Sequence, residues 1–271
     1  MARQEGRKRG DDGDDVAEGQ LAATVQLYRQ LLPHGVTELG GLEVATGHRP
    51  CSVVGGDLFE FARFGDGHVG VVIADVSGHG LQAAAVMGML KAVVLAAVRW
   101  GRPTRTFAAD VNEAMCDLLA DGAFVTAAFV EIDPRTGEAW MLNCGHPAVL
   151  YKPRSGPAVE VVCEGALPLG IMRWAGGATD AATGPATSDA DVRLEPGDAL
   201  VLYTDGLSEA RDASGSMFDR EGVAAALPDA ASAGGLRDAL LGAVEAHCGA
   251  RPADDDRTVV VIRRPDGDVQ A

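Results

Sequence analysis

The sequence is short of basic residues, of aromatics and of paired cysteines. Its 23 lysines and arginines face 39 aspartates and glutamates, a formal net charge of -16. That balance disfavours nucleic acid as a partner, because such binding rests on cations facing phosphates. Aromatics are 5% of the residues against 47% hydrophobic overall, so a core has to be built from valine, leucine and alanine. The five cysteines, at 51, 116, 144, 163 and 248, are odd in number and form no C-x-x-C pair. A structural zinc site or a disulfide framework therefore lacks material, and a reducing, cytoplasmic compartment is expected. The first residues are polar and rich in glycine and aspartate, without the apolar run of a secretory signal. Leu81 to Trp100 is long enough to span a bilayer, but Lys91 sits near its middle, where a charge costs about 3 kcal/mol. That window reads as a core helix, and no membrane insertion is expected.

What the chain does have is apolar strands that stop at a carboxylate. Val71-Val72-Ile73-Ala74 runs into Asp75 and then Val76-Ser77-Gly78-His79-Gly80; Leu200-Val201-Leu202-Tyr203 runs into Thr204, Asp205 and Gly206. Asp57 follows Gly55-Gly56, and Asp255-Asp256 precedes the apolar run Thr258 to Ile262. A carboxylate held at the rim of a rigid core costs several kcal/mol unless donors or a cation compensate it. Four such points converging on one sheet edge would suit a hard cation, Mg²⁺ or Mn²⁺, better than zinc. Each aspartate alone reads more often as a turn former or a helix cap than as a ligand.

Along the chain, residues 1–20 are expected to form a disordered charged tail, basic at Arg3, Arg7, Lys8 and Arg9 and then acidic. One domain is expected over 21–264, with a short tail at 265–271. Leu21, Val25, Tyr28, Leu31 and Leu32 share a helical face that Pro33 ends. Gly65-Asp66-Gly67 reads as the turn of a hairpin into the Asp75 strand, and Asp133 to Gly137 as the turn of a second hairpin. Ala158 to Cys163 suggests a strand, and 175–190 a flexible loop.

Seven strings occur in order: Gly55-Gly56-Asp57-Leu58-Phe59-Glu60, Asp75 to Gly80, Phe124-Val125-Thr126-Ala127, Asn143-Cys144-Gly145-His146-Pro147, Leu167-Pro168-Leu169-Gly170, Tyr203 to Ala210, and Asp255-Asp256-Arg257-Thr258. Together they resemble the metal-dependent (PPM-type) serine/threonine phosphatases, in the bacterial SpoIIE-type branch, over about Leu27 to Arg263. The resemblance implies an α+β fold, a central sandwich of two antiparallel β-sheets flanked by helices on both faces. It implies two Mn²⁺ or Mg²⁺ ions held by Asp57, Asp75, the Val76 carbonyl, Asp205 and Asp255, with Asp75 bridging and Asp256 ranked lower. A water activated between the cations would attack phosphorus directly. His79 is the candidate general acid, or else only braces its turn; His146 reads as turn structure. The implied substrate is a phosphorylated STAS-type anti-anti-sigma protein, with the helix at 21–32 as a regulatory element through which a homodimer could form. Glu60 stands where the family usually has aspartate, which puts an outer metal contact in question, and Cys144 stands where alanine is commoner. Two rivals are a GGDEF-type nucleotide cyclase, which Leu58-Phe59 after Asp57 argues against, and a phosphatase-fold module that acts only by binding a partner.

Overall fold

The computed structural model describes residues 11–100, 104–161, 163, 166–174, 189–229 and 231–267. The chain order is α1 (Asp11–Leu31), β1 (Glu38–Leu39), β2 (Leu42–Arg49), β3 (Leu58–Arg63), β4 (Val69–Val76), α2 (Gly80–Arg99), α3 (Thr104–Leu118), β5 (Val125–Ile132), β6 (Glu138–Cys144), β7 (Leu150–Lys152), β8 (Val159–Glu160), β9 (Asp189–Arg193), β10 (Ala199–Tyr203), α4 (Asp205–Ser208), α5 (Asp219–Ala225), α6 (Ala233–Cys248) and β11 (Arg257–Arg263).

The strands make two sheets. One has six strands in the order β1-β2-β11-β10-β7-β8, and the other five in the order β3-β4-β5-β6-β9. Every pairing between these strands is antiparallel. Residue alternation explains how the sheets stack. In β11, Val260 and Ile262 enter a core shared with Val71, Ile73 and Val130 of the five-stranded sheet. Val259 and Val261 point the other way and pack with Leu236, Leu240 and Val244 of α6. Strands buried on both faces read as continuous apolar runs, which is what Thr258 to Ile262 and Val71 to Ala74 are. Each fully buried valine or isoleucine contributes about 1.5–3 kcal/mol.

Helices α2 and α3 cover the outer face of the five-stranded sheet and α6 that of the other, so the expected α-β-β-α sandwich is the observed one. By length and composition alone α2 could cross a membrane. Here Ala83, Met87, Leu90, Val94 and Ala97 form its buried face, and Lys91 makes an ion pair with Glu60 of β3 beneath it. The mid-helix lysine thus has a buried partner in the sheet.

Three expectations change. Helix α1 begins at Asp11, not Leu21, so the expected disordered stretch through residue 20 is helical from residue 11; residues 1–10 lie outside the described residues. Arg29 in its last turn suits the negative end of the helix dipole. The strand expected over 158–163 is only Val159–Glu160, although the Val161 N–H still reaches the Val149 carbonyl at 2.8 Å. Most of the expected loop at 175–190 lies outside the described residues, and its last two, Asp189 and Ala190, begin β9.

Candidate metal centre

Two neighbouring strands in each sheet deliver the site. Strands β3 and β4 pair so that Leu58 faces Ala74, which sets Asp57, just ahead of β3, beside Asp75 near the end of β4. In the other sheet β10 and β11 pair with Tyr203 opposite Val259, so Asp205 after β10 and Asp255 before β11 leave from the same end. The sandwich therefore gathers carboxylates from residues 57, 75, 205 and 255.

The pKa directions report this convergence. Asp75 is pushed up to about 8, first by burial and then by the charges of Asp205, Asp255 and Asp256. Asp57, 1% exposed, is raised well above the usual carboxylate range by burial and by Asp75. Burial followed by Asp255 raises Asp205, and Asp255, on the exposed rim, is raised by the partial burial of its carboxylate and by Asp256 and Glu209. The charges that act on Asp57, Asp75 and Asp205 are all carboxylates. Hard oxygen donors with no cation among them are the donor set that suits Mg²⁺ or Mn²⁺, and a divalent ion would reverse the local pKa logic. The residues present therefore fit such ions.

Asp57 is braced from the other sheet. The hydroxyls of Thr204 (2.9 Å) and Thr258 both donate to its Oδ2, and the Thr258 N–H donates to Thr204 Oγ1 at 3.0 Å. Asp256 does a different job from its neighbour. It is buried, accepting the Cys51 N–H on Oδ1 and the Gly56 N–H on Oδ2, each at 2.8 Å. A Cβ on Gly55 would lie 1.8 Å from Asp256 Oδ2, so glycine is obligatory there. Asp255 is exposed, its Oδ1 accepting the Asp256 N–H at 2.8 Å. Asp256 thus locks the Gly55-Gly56 loop while Asp255 faces the cluster. The Val76 carbonyl lies 3.0 Å from where a Cβ of Gly56 would stand, so the second glycine gives it room.

His79 is the N-cap residue of α2, exposed, with no side-chain bond to the helix end. Gly78 and Gly80 flank it at φ of 96° and 74°, a left-handed turn that favours glycine on both sides. Its charge lowers the pKa of Asp255, which places the ring on the rim of the cluster. His146 is buried, and burial lowers its pKa to about 3. Its Nδ1 bonds the Thr126 hydroxyl and its N–H the Asn143 side chain, so it fastens β6 to β5 as turn structure. Ser77 Oγ accepts the Phe124 N–H at 3.0 Å, a fastening role too. Glu60 is buried and engaged by Lys91, so its longer arm serves the contact between β3 and α2.

Sequence reasoning missed Thr204 and Thr258 as braces, although each lies within three residues of a named aspartate. It also missed Glu209, whose charge raises both Asp205 and Asp255. A groove of about 530 Å³ opens beside Asp205, lined in part by Ser208, Glu209, Met217 and Arg220. A second cavity, about 600 Å³, is lined by His68, Asp133, Trp140 and Arg193 at the far end of the five-stranded sheet. None of the expected site residues lines it.

Comparison with known proteins agrees with this geometry. Residues 65–265 match the sequence family described as Stage II sporulation protein E (SpoIIE). The chain is 25% identical over 210 residues to the phosphoserine phosphatase RsbU of Bacillus subtilis, covering 77% of this chain and 58% of that one. It is 23% identical to protein IcfG of a Synechocystis strain, again over 77% of this chain but 35% of the relative. This chain thus spans between a third and three-fifths of these relatives. Among solved structures, the RsbU and RsbW domains of a Mycobacterium tuberculosis protein superpose with a TM-score of 0.72 at 26% identity, covering 88% of this chain and 64% of that one. The SiaA-PP2C domain of Pseudomonas aeruginosa does so with 0.75 at 21% identity, covering 95% and 99%.

Proposed function

The chain belongs to the SpoIIE branch of the PPM-type phosphatases, and from that premise we propose that it is a metal-dependent protein serine/threonine phosphatase of the cytoplasm. Its substrate in this reading is phosphoserine or phosphothreonine on a regulatory protein of the STAS anti-anti-sigma type. The observation that carries the reading is the set of carboxylates from both sheets that raise one another's pKa with no Lys or Arg among the charges acting on Asp57, Asp75 and Asp205. Asp57, Asp75, Asp205, Asp255 and the Val76 carbonyl would hold two Mn²⁺ or Mg²⁺ ions. Such ions, when bound, supply a water of lowered pKa and offset charge on the phosphoryl oxygens.

The chain's own residues do the rest. Thr204 and Thr258 fix the Asp57 carboxylate from one side, so the centre is oriented before substrate arrives. Asp256 holds the Gly55-Gly56 loop closed over the Val76 carbonyl. His79, exposed on the rim, is the group we assign to give a proton to the departing serine or threonine oxygen. The groove beside Asp205, with Arg220 on its wall, is the seat for the polypeptide around the phosphate. The partner class is favoured by the RsbU relative and by the structure that carries RsbU and RsbW domains together. Helix α1 is the segment we assign to regulation and to pairing of two copies.

Hydrolysis of p-nitrophenyl phosphate and of a phosphoserine peptide with Mn²⁺ tests the proposal. The wild-type chain turns over both, and folded Asp205→Asn turns over neither. Wild-type protein without activity on any phosphoprotein would instead favour a partner-binding module. A His79→Gln variant sharpens the assignment, because p-nitrophenolate leaves without a proton and a serine alkoxide does not. The expected result is a loss on the order of a hundredfold on phosphopeptide with little change on p-nitrophenyl phosphate; equal loss on both removes His79 from that role.

A further inference from the structure

Three hydrogen bonds run in series from the first helix to Asp57. The Tyr28 hydroxyl of α1 lies 2.9 Å from His48 Nε2 of β2. His48 Nδ1 lies 2.8 Å from Thr258 Oγ1 of β11, and Thr258 Oγ1 bonds Asp57 Oδ2. The last contact fixes the direction of the others. A carboxylate that holds a cation is ionised and only accepts, so the Thr258 hydroxyl donates to it. Having given its one hydrogen, that oxygen accepts from His48, whose proton is then on Nδ1. The bare Nε2 accepts the Tyr28 O–H. Burial lowers the His48 pKa, in keeping with a neutral ring of one tautomer.

The outer end of this chain of bonds is also where α1 is seated. Tyr28 is 4% exposed, while Leu27 beside it is 60% exposed. A cavity of about 560 Å³, lined by Val25, Tyr28, Arg29, His48, Val53 and Phe59, lies against the same contact. Any change that withdraws the Tyr28 hydroxyl alters the hydrogen bonding of His48. Without that donor the ring can place its proton on Nε2. Nδ1 then becomes an acceptor that takes the Thr258 hydrogen away from Asp57.

We propose that Tyr28 and His48 are positioning residues for Asp57, setting through Thr258 the affinity of the metal centre for divalent cations. The proposal rests on the reading of Asp57 as a metal ligand. Hydrogen-bond partners of metal ligands are commonly worth 10–100-fold in metal affinity.

The test is Mn²⁺ binding by calorimetry on the full chain, together with ¹⁵N NMR of the histidine rings. Tyr28→Phe keeps the ring and removes the hydroxyl. It should weaken Mn²⁺ binding about tenfold and turn the single Nδ1–H tautomer of His48 into a mixture. His48→Asn places an amide N–H near the Nδ1 position and should hold affinity close to wild type, whereas His48→Gln places it near Nε2 and should lose it. A packing role alone would favour glutamine, the nearer in size to histidine, over asparagine, the reverse of the expected order. Folded Tyr28→Phe with wild-type affinity and an unchanged tautomer overturns the proposal and leaves the metal centre standing. A wild-type chain that binds no divalent cation removes both.

Discussion

The two ends of the sandwich treat aspartate in opposite ways. At the end opposite the candidate metal centre, Asp198 is buried and fully engaged, accepting the Tyr151 hydroxyl and the N–H groups of Arg154 and Glu195. There, too, Asp133 is held below the usual carboxylate range by Arg135, and Asp266 by Arg263. Arg264, also buried, donates to the carbonyls of Arg135, Thr136 and Leu194. At the other end Asp57, Asp75, Asp205 and Asp255 are all raised by burial and by neighbouring carboxylates, and the one basic side chain acting on them is His79, which pulls only Asp255 back down. The same residue type thus supports the fold at one end and opposes it at the other. Uncompensated burial of charge is costly, and a site that keeps it is kept for what it binds. On the proposed reading, stability is given up at one edge so that cations can be bound there.

Asp75→Asn breaks that contrast most directly. Wild-type protein should gain about 2.7 kcal/mol of stability at a cation concentration 100 times the dissociation constant, read as a rise in thermal midpoint with Mn²⁺. The variant should show almost none of this gain, and its phosphatase rate should fall on the order of a hundredfold or more. In EDTA near neutral pH it should melt higher than wild type, because the amide is neutral without the proton that buried Asp75 must take up on folding. A variant that melts lower in EDTA would mean that Asp75 is structural.

Asp198→Ala probes the other end and carries the opposite sign. Truncation leaves the Tyr151 hydroxyl and two backbone N–H groups without their acceptor. A loss of about 3 kcal/mol is expected from the donors stranded, with Mn²⁺ affinity unchanged. Urea unfolding checks the first part and calorimetry the second. If Asp198→Ala weakened Mn²⁺ binding as Asp75→Asn does, the two ends would not be independent.

How much of this contrast could be read beforehand depends on how local each signal is. Strand, aspartate and glycine lie within a few residues of one another, so Asp57, Asp75, Asp205 and Asp255 were legible, as were the two hairpins of the five-stranded sheet. The sandwich itself came from the resemblance, not from periodicity. What stayed hidden depends on register between strands far apart in the chain. Thr258 reaches Asp57 across 201 residues and His48 reaches Thr258 across 210, and no spacing rule connects them. Asp255 and Asp256 look alike in sequence. Only the approach of the Gly55-Gly56 loop assigns one to locking the backbone and the other to the open rim. The apolar periodicity of helix α1 begins only at Leu21, whereas its backbone is helical from Asp11, so the pattern marks the packed part of the helix and not its start.

The smallest effect, and the one most specific to the metal end, is on the pH dependence of the cation-free protein. Asp75 titrates at about 8 in the folded chain and near 3.9 when unfolded. Between these values the folded state holds a proton that the unfolded state has released, so stability falls as pH rises. Asp57, Asp205 and Asp255, also raised, act in the same direction. His146 acts oppositely. It stays neutral down to about 3 when folded, so it lowers stability as pH falls below 6.5, the ordinary histidine value. The clean window is therefore pH 6.5 to 8. His68, raised by Glu131, also loses its contribution as pH rises there, but it does so in every variant that retains it. The difference between wild type and Asp75→Asn isolates the cluster. In EDTA, wild type should lose about 1.5 kcal/mol more than the variant across that window, measured by urea unfolding at several pH values. With saturating Mg²⁺ the two-proton-state contrast should vanish for wild type, because the ion holds the carboxylates ionised throughout. A wild-type stability that rises with pH in EDTA, in step with the variant, would mean that these carboxylates are compensated after all, and the two ends of the sandwich would then be alike.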